Sequence, residues 1–216
     1  MSWLRRAILI GFLAIVVAGA TWLWLGRRPH VAPAIDAAAL TNWPVVVSDG
    51  TDPWVVSVVP PARLMSMLAA DATRHAGRAL ITPPHSGLPL VLRTEFEEGL
   101  QGVFGTDSVM RMAHDAGLDA ARFEPVCLAH HVRSDADGRA EVYFVPFDSA
   151  PFSQLRVDLI PAFPEQAGTG MYDPSTLSPI LIVGATDTAF ERWWPLRFNP
   201  DQDCVASVTV SASGQN

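Results

Sequence analysis

The sequence predicts an α+β protein: a single-pass N-terminal transmembrane helix, then one domain with a mixed β-sheet and helices mainly on one face. Three observations lead there. Nineteen consecutive residues, Ala7 to Leu25, carry no charge. The rest of the chain, roughly 170 residues past a short linker, is one domain's worth of sequence. Within it, β-branched runs alternate with amphipathic runs, and one pair of strand-like segments flanks an Asp-Gly turn.

The apolar stretch rises about 28 Å as a helix, just enough for a hydrocarbon layer of about 30 Å. Trp3 stands at one end, and Trp22 and Trp24 at the other, where amphipathic rings favour the headgroup interface. A cleavable signal has a shorter apolar run followed by an A-x-A site. Here Ala18-Gly19-Ala20 lies inside the run, and Ala32-Pro33-Ala34 follows a run that is too long, so an uncleaved anchor is expected. Arg5 and Arg6 flank the inner end, Arg27 and Arg28 the outer, and the positive-inside count is nearly balanced. Residues 29–216 hold eleven arginines against twenty-two acids, a formal charge of −11. That acidity excludes nucleic acid as a partner. With two cysteines to pair in an oxidising compartment, it also favours a C-terminal body outside the cytoplasm. The expected layout is a cytoplasmic tail (1–6), an anchor (7–25), a Pro/Ala linker (26–42) and a periplasmic domain (43–216).

Each element of the domain has a local reason. Trp54 to Val59 is β-branched and bounded by Asp52-Pro53 and Pro60-Pro61, which marks a strand. Pro61 suits a helix start, Leu64, Met65, Leu68 and Ala72 recur at helical spacing, and Gly77 marks the stop. Leu88 to Leu92 is a second apolar run. Thr94 and Glu97 are spaced as a capping box for a helix to about Val103, and Asp107 is placed to cap another that ends near Gly117. Pro125–Val132 and Ala140–Phe147 are strands around the Asp137-Gly138 turn. Phe152 to Ile160 has helical spacing, and Pro179 to Val183 is a buried strand. Gly184 to Thr188 turns into a short helix, with Thr188 and Glu191 spaced as a box. Cys204 to Val210 is the last strand. Both cysteines thus fall on strands, and a Cys127–Cys204 disulfide would staple the late sheet.

No motif for catalysis, metal or nucleotide survives inspection. Setting Gly138 at position 6 of a calcium loop puts Arg133 at position 1 and Phe144 at position 12, and neither is a ligand. His130 and His131 are strand neighbours pointing to opposite faces. Met110, Met112 and His114-Asp115 read as a helix turn. Ser86 lacks a nucleophile elbow around it. Glu95, Glu97 and Glu98 open a helix, where acids complement the dipole. After the PILIV strand, Gly184 to Asp187 lacks the phosphate-binding glycines, and Asp187 puts a negative charge where a phosphate would sit.

Arg192, Trp193 and Trp194 are of the types enriched in binding hot spots, and an exposed pair of rings here would be an interface. The expectation is therefore a non-catalytic, cofactor-free, inner-membrane protein whose periplasmic domain binds another envelope or secretion-system protein. Two rivals have structural signatures. An enzyme would gather His85, His114 and Asp115 in one cleft, and a small-ligand sensor would present an apolar pocket.

Overall fold

The structure, a computed structural model, describes residues 34–135, 138–160 and 172–212. The anchor and its flanks, Arg5, Arg6, Arg27 and Arg28, lie outside the described residues. Among the described residues no helix is long and apolar enough to cross a membrane.

The described chain is a mixed α+β domain. It begins with β1 (Ala34–Asp36), a 3-10 turn (Ala37–Leu40), β2 (Val45–Val47), β3 (Trp54–Val58), α1 (Ala62–Ala76) and β4 (Leu88–Leu92). The one-turn α2 (Arg93–Glu95) runs into a π-turn (Phe96–Leu100), followed by α3 (Thr106–Asp115). Next come β5 (Glu124–Pro125), β6 (Cys127–Asp135), β7 (Gly138–Asp148) and α4 (Ala150–Asp158). Last are β8 (Ile180–Ala185), a 3-10 turn (Phe190–Trp193), α5 (Pro200–Asp203), β9 (Cys204–Ser207) and β10 (Thr209–Ser211).

Among the described residues the strands form three sheets, not one. β2, β3 and β4 make an antiparallel sheet in that order. β7 pairs with β5 and β6 and, separately, with β8; β9 adds antiparallel to β6. β1 and β10 form a small parallel pair, Ile35 opposite Val210. All residues of β3, β4 and β8 are buried, so those strands are covered on both sides. Helices serve more than one sheet: α1 packs on β8, and α3 on β2 and β3.

Where local chemistry is strong, the expected elements form. α1 buries Leu64, Met65, Leu68 and Ala72 and ends at Gly77, whose φ of 65° is left-handed. The hairpin pairs Asp135 with Gly138, whose φ is 116°. Cys127 and Cys204 are disulfide-bonded, tying β6 to the edge strand β9.

Four expectations are corrected. Residues 34–42 are not linker: Ile35 and Leu40 are 0 % exposed and join the core. Their low apolar density hides this, because β1 is held by a strand from the far end of the chain. The Thr94/Glu97 box does not form; Glu95 accepts the Leu92 N–H at 2.9 Å. The expected last strand breaks at Val208 into β9 and β10, which serve different sheets. The turn after β8 is capped by Asp187, whose Oδ1 accepts the Ala189 N–H at 3.0 Å, not by a Thr188/Glu191 box.

Two interior features hold the layers together. Trp43 stacks on Phe123 at 4.3 Å and meets Phe147 edge-on at 5.2 Å. Arg156 of α4, 2 % exposed, forks onto Glu95 with Nη2–Oε1 at 2.7 Å and Nη1–Oε2 at 3.0 Å. It also donates to the carbonyls of Leu90, Asp173 and Pro174. The Tyr172 ring lies 4.7 Å from the guanidinium carbon, and its hydroxyl donates to the Arg156 carbonyl. Burial raises the Tyr172 phenol far above its ordinary value, against the opposing pull of Arg156. A charge so deep is tolerable because carboxylate and carbonyl oxygens surround it.

Candidate functional site

Three segments meet around a cleft of about 480 Å³: Gly50–Trp54 leading into β3, the Pro83–His85 turn before β4, and Thr188–Trp194 after β8. The volume lies in the range of small-ligand sites.

The first segment is pinned by its own polar side chains. Asp49 Oδ1 accepts from the Thr51 N–H at 3.0 Å and hydroxyl at 2.7 Å, with Gly50 at φ 104° between them. The Thr51 hydroxyl, followed by its N–H, holds the Asp49 carboxyl below the usual range. Arg93 clamps the segment from β4's end: Nε donates to the Asp52 carbonyl at 3.0 Å, and Nη2 to the Trp54 carbonyl at 3.2 Å and Ser48 Oγ at 3.4 Å. Nε and Nη2 of its guanidinium are therefore engaged by protein acceptors.

The second segment reaches the cleft because Gly87 lets it lie flat on β3. A Cβ there would meet Ser57 Oγ at 3.1 Å and the Trp54 ring at 3.2 Å. In the third, Asp187 Oδ2 also pairs with Arg192 Nη2, and the turn so held drives Trp193 and Trp194 inward. Trp194 meets Trp54 edge-on at 5.0 Å and 87°. Trp54, Trp194 and Phe190 line the cleft with prolines 53, 83 and 84.

Its polar feature is Asp52. His85 Nδ1 sits 3.2 Å from Asp52 Oδ1, an ion-pair distance, yet that buried oxygen has no aligned hydrogen-bond donor among the described residues. Trp194 Nε1, also of a lining residue, is likewise buried without a partner. Buried polar atoms are almost always satisfied, and two of the six that lack a hydrogen-bond partner among the described residues belong to this lining.

The expected interface does not form at the tryptophan pair. Trp193 and Trp194 are each 1 % exposed, because proline-ended Phe190–Trp193 folds back on the sheets instead of projecting. Trp193 is covered by the guanidinium carbons of Arg192 at 5.3 Å and Arg133 at 6.0 Å. Hot-spot residue types thus serve the core here.

The enzyme constellation is not assembled either. His85 is at the cleft, but His114 pairs with Asp119 and Asp115 is exposed. His130 and His131 find separate acids. His131 Nδ1 is 3.1 Å from Asp203 Oδ1. His130 Nε2 is 3.1 Å from Glu141 Oε2, with its ring stacked 4.5 Å from Tyr143. Glu141, 9 % exposed, also receives Arg78 at 2.6 Å and Arg139 at 3.1 Å. Burial alone would raise its carboxyl, but the Arg78 and His130 contacts outweigh it and the net direction is down. Among the described residues no group of three or more His, Cys, Asp or Glu is placed to hold a metal ion.

Sequence reasoning missed Asp52, Trp54 and Arg93 as cleft residues. The available signal was the polar S-D-G-T-D-P run, whose density of turn residues before a strand marks a shaped loop. Comparison of the chain with protein-family models, with curated proteins and with solved structures finds no match.

Proposed function

We propose that this protein is a membrane-anchored, non-catalytic binding domain acting on the periplasmic side of a bacterial inner membrane, with the Trp54–Trp194 cleft as its recognition site. The observation that carries this reading is the cleft: about 480 Å³, lined by three aromatic residues and three prolines, with the half-buried Asp52 carboxylate in the lining. Support for the location comes from the apolar segment 7–25, the acidic body and the Cys127–Cys204 disulfide.

Burial of Trp193 and Trp194 removes the surface on which a protein–protein interface was first expected. Small-ligand binding now explains more of the geometry, and an envelope or secretion-system protein becomes the receiver of the ligand signal. Fragment screening by NMR on the full chain in non-ionic detergent tests the site. Fragments should shift resonances of residues 50–54, 83–85 and 188–194. Fragments that leave these residues unmoved, or gather elsewhere, refute the cleft as the site. A C-terminal reporter fusion, active only in the periplasm, tests the location; activity in the cytoplasmic form refutes it.

A further inference from the structure

We propose that the cleft selects a small organic cation: a ligand with a flat apolar body and an amidinium, guanidinium or ammonium group that binds Asp52. This rests on the cleft being the recognition site and adds the chemistry of its occupant.

The argument starts from Asp52. Its side chain is 13 % exposed, and Oδ1 is buried without an aligned donor. A carboxylate taken that far out of water needs a donor or a counter-cation. Arg93 makes no hydrogen bond to Oδ1; its Nε and Nη2 donate to two carbonyls and the Ser48 hydroxyl. His85 is near but misaligned, and its side chain is 52 % exposed. It acts as a movable cover on the carboxylate, and a ligand cation takes its place by turning it outward.

Further carboxylates lie near the cleft. Glu191 also lines the cleft, and Asp49 lies close enough to feel His85 electrostatically. An anion entering would meet Asp52 and Glu191, with Arg93 as the one guanidinium among the described lining residues. The apolar lining of Trp54, Phe190, Trp194 and three prolines suits the flat body of such a ligand. A neutral flat molecule would fill the volume but leave Asp52 Oδ1 as it is.

The experiment uses the full chain in non-ionic detergent and three probes of one shape: benzamidine, benzamide and benzoate. Calorimetry gives affinity, and NMR shifts at residues 50–54 and 188–194 give location. Benzamidine should bind in the cleft at least about tenfold more tightly than benzamide, with benzoate weakest; tenfold corresponds to about 1.4 kcal/mol. Asp52→Asn should remove that preference, and His85→Ala should leave benzamidine binding equal or tighter. Benzamide binding as well as benzamidine, or benzoate binding better, overturns the cation assignment while leaving the cleft intact as a site. No probe shifting those residues fails the underlying reading instead. A tenfold loss of benzamidine binding in a folded His85→Ala variant overturns the role given to His85.

Discussion

Replacing Arg156 by methionine removes a buried cation from the centre of the fold and leaves its partners behind. Glu95 would keep only the Leu92 N–H at 2.9 Å and the Thr176 hydroxyl at 2.9 Å, with its side chain 13 % exposed. The carbonyls of Leu90, Asp173 and Pro174 would lose a donor. Removing one member of a buried pair costs about 3–5 kcal/mol, because the survivor keeps its desolvation penalty. Against a domain stability of about 5–15 kcal/mol, that is about a fifth or more of the total. The melting temperature of a domain this size should fall by about 6–20 °C. Glu95→Leu alone should cost a similar amount, since it leaves a 2 %-exposed guanidinium without its counter-charge.

The double variant, Glu95→Leu with Arg156→Met, should cost about 2–3 kcal/mol less than the sum of the singles, because neither charge is then stranded. Urea melts of the four proteins read this cycle. Single losses below about 1 kcal/mol, or strictly additive losses, would show that the pair is solvated and that the reasoning from burial is wrong.

Other predictions follow from separate features. Reducing the Cys127–Cys204 bond, which spans a sequence separation of 77, should cost about 2–4 kcal/mol and speed hydrogen exchange first in β9 and β10; unchanged exchange there would count against β9 being held by the bridge. Gly184→Ala puts a Cβ 2.9 Å from Leu80 Cβ, so a loss of about 1–3 kcal/mol is expected in a thermal melt, and a neutral result would mean the 78–81 segment yields freely. The folded-state carboxyl of Glu141 lies below its unfolded value, so its contribution is present above about pH 4.3 and is lost as pH falls further. Glu141→Gln should therefore be less stable than the parent at pH 7, with the gap narrowing below about pH 4; a gap that widens in acid would reverse the sign assigned to the Arg78 and His130 contacts.

Much of the local structure was legible in the sequence. The helix Ala62–Ala76 follows from its apolar spacing and a glycine stop, and the β6–β7 hairpin from Asp137-Gly138, because both depend on neighbours within a few residues. The two cysteines were expected to pair, and they do.

The site was legible only in fragments. Trp193 and Trp194 have the same composition whether exposed or buried; the Asp187–Arg192 turn and the facing Trp54 decide between those states, and Trp54 is 140 positions away by sequence number. Glu95 reads equally as a helix-dipole acid, and only the arrival of Arg156, 61 residues on, makes it half of a buried pair. Local periodicity and turn chemistry by themselves determined the strands at Trp54–Val58, Leu88–Leu92 and Ile180–Ala185, the helix Ala62–Ala76 and the β6–β7 hairpin, and composition determined the acidic balance of the body. The division into three sheets, the β1–β10 pairing of the two ends, the burial of the tryptophan pair and the cleft beside Asp52 were decided by tertiary structure. Each depends on contacts between residues far apart in the chain, whose energy no local pattern contains.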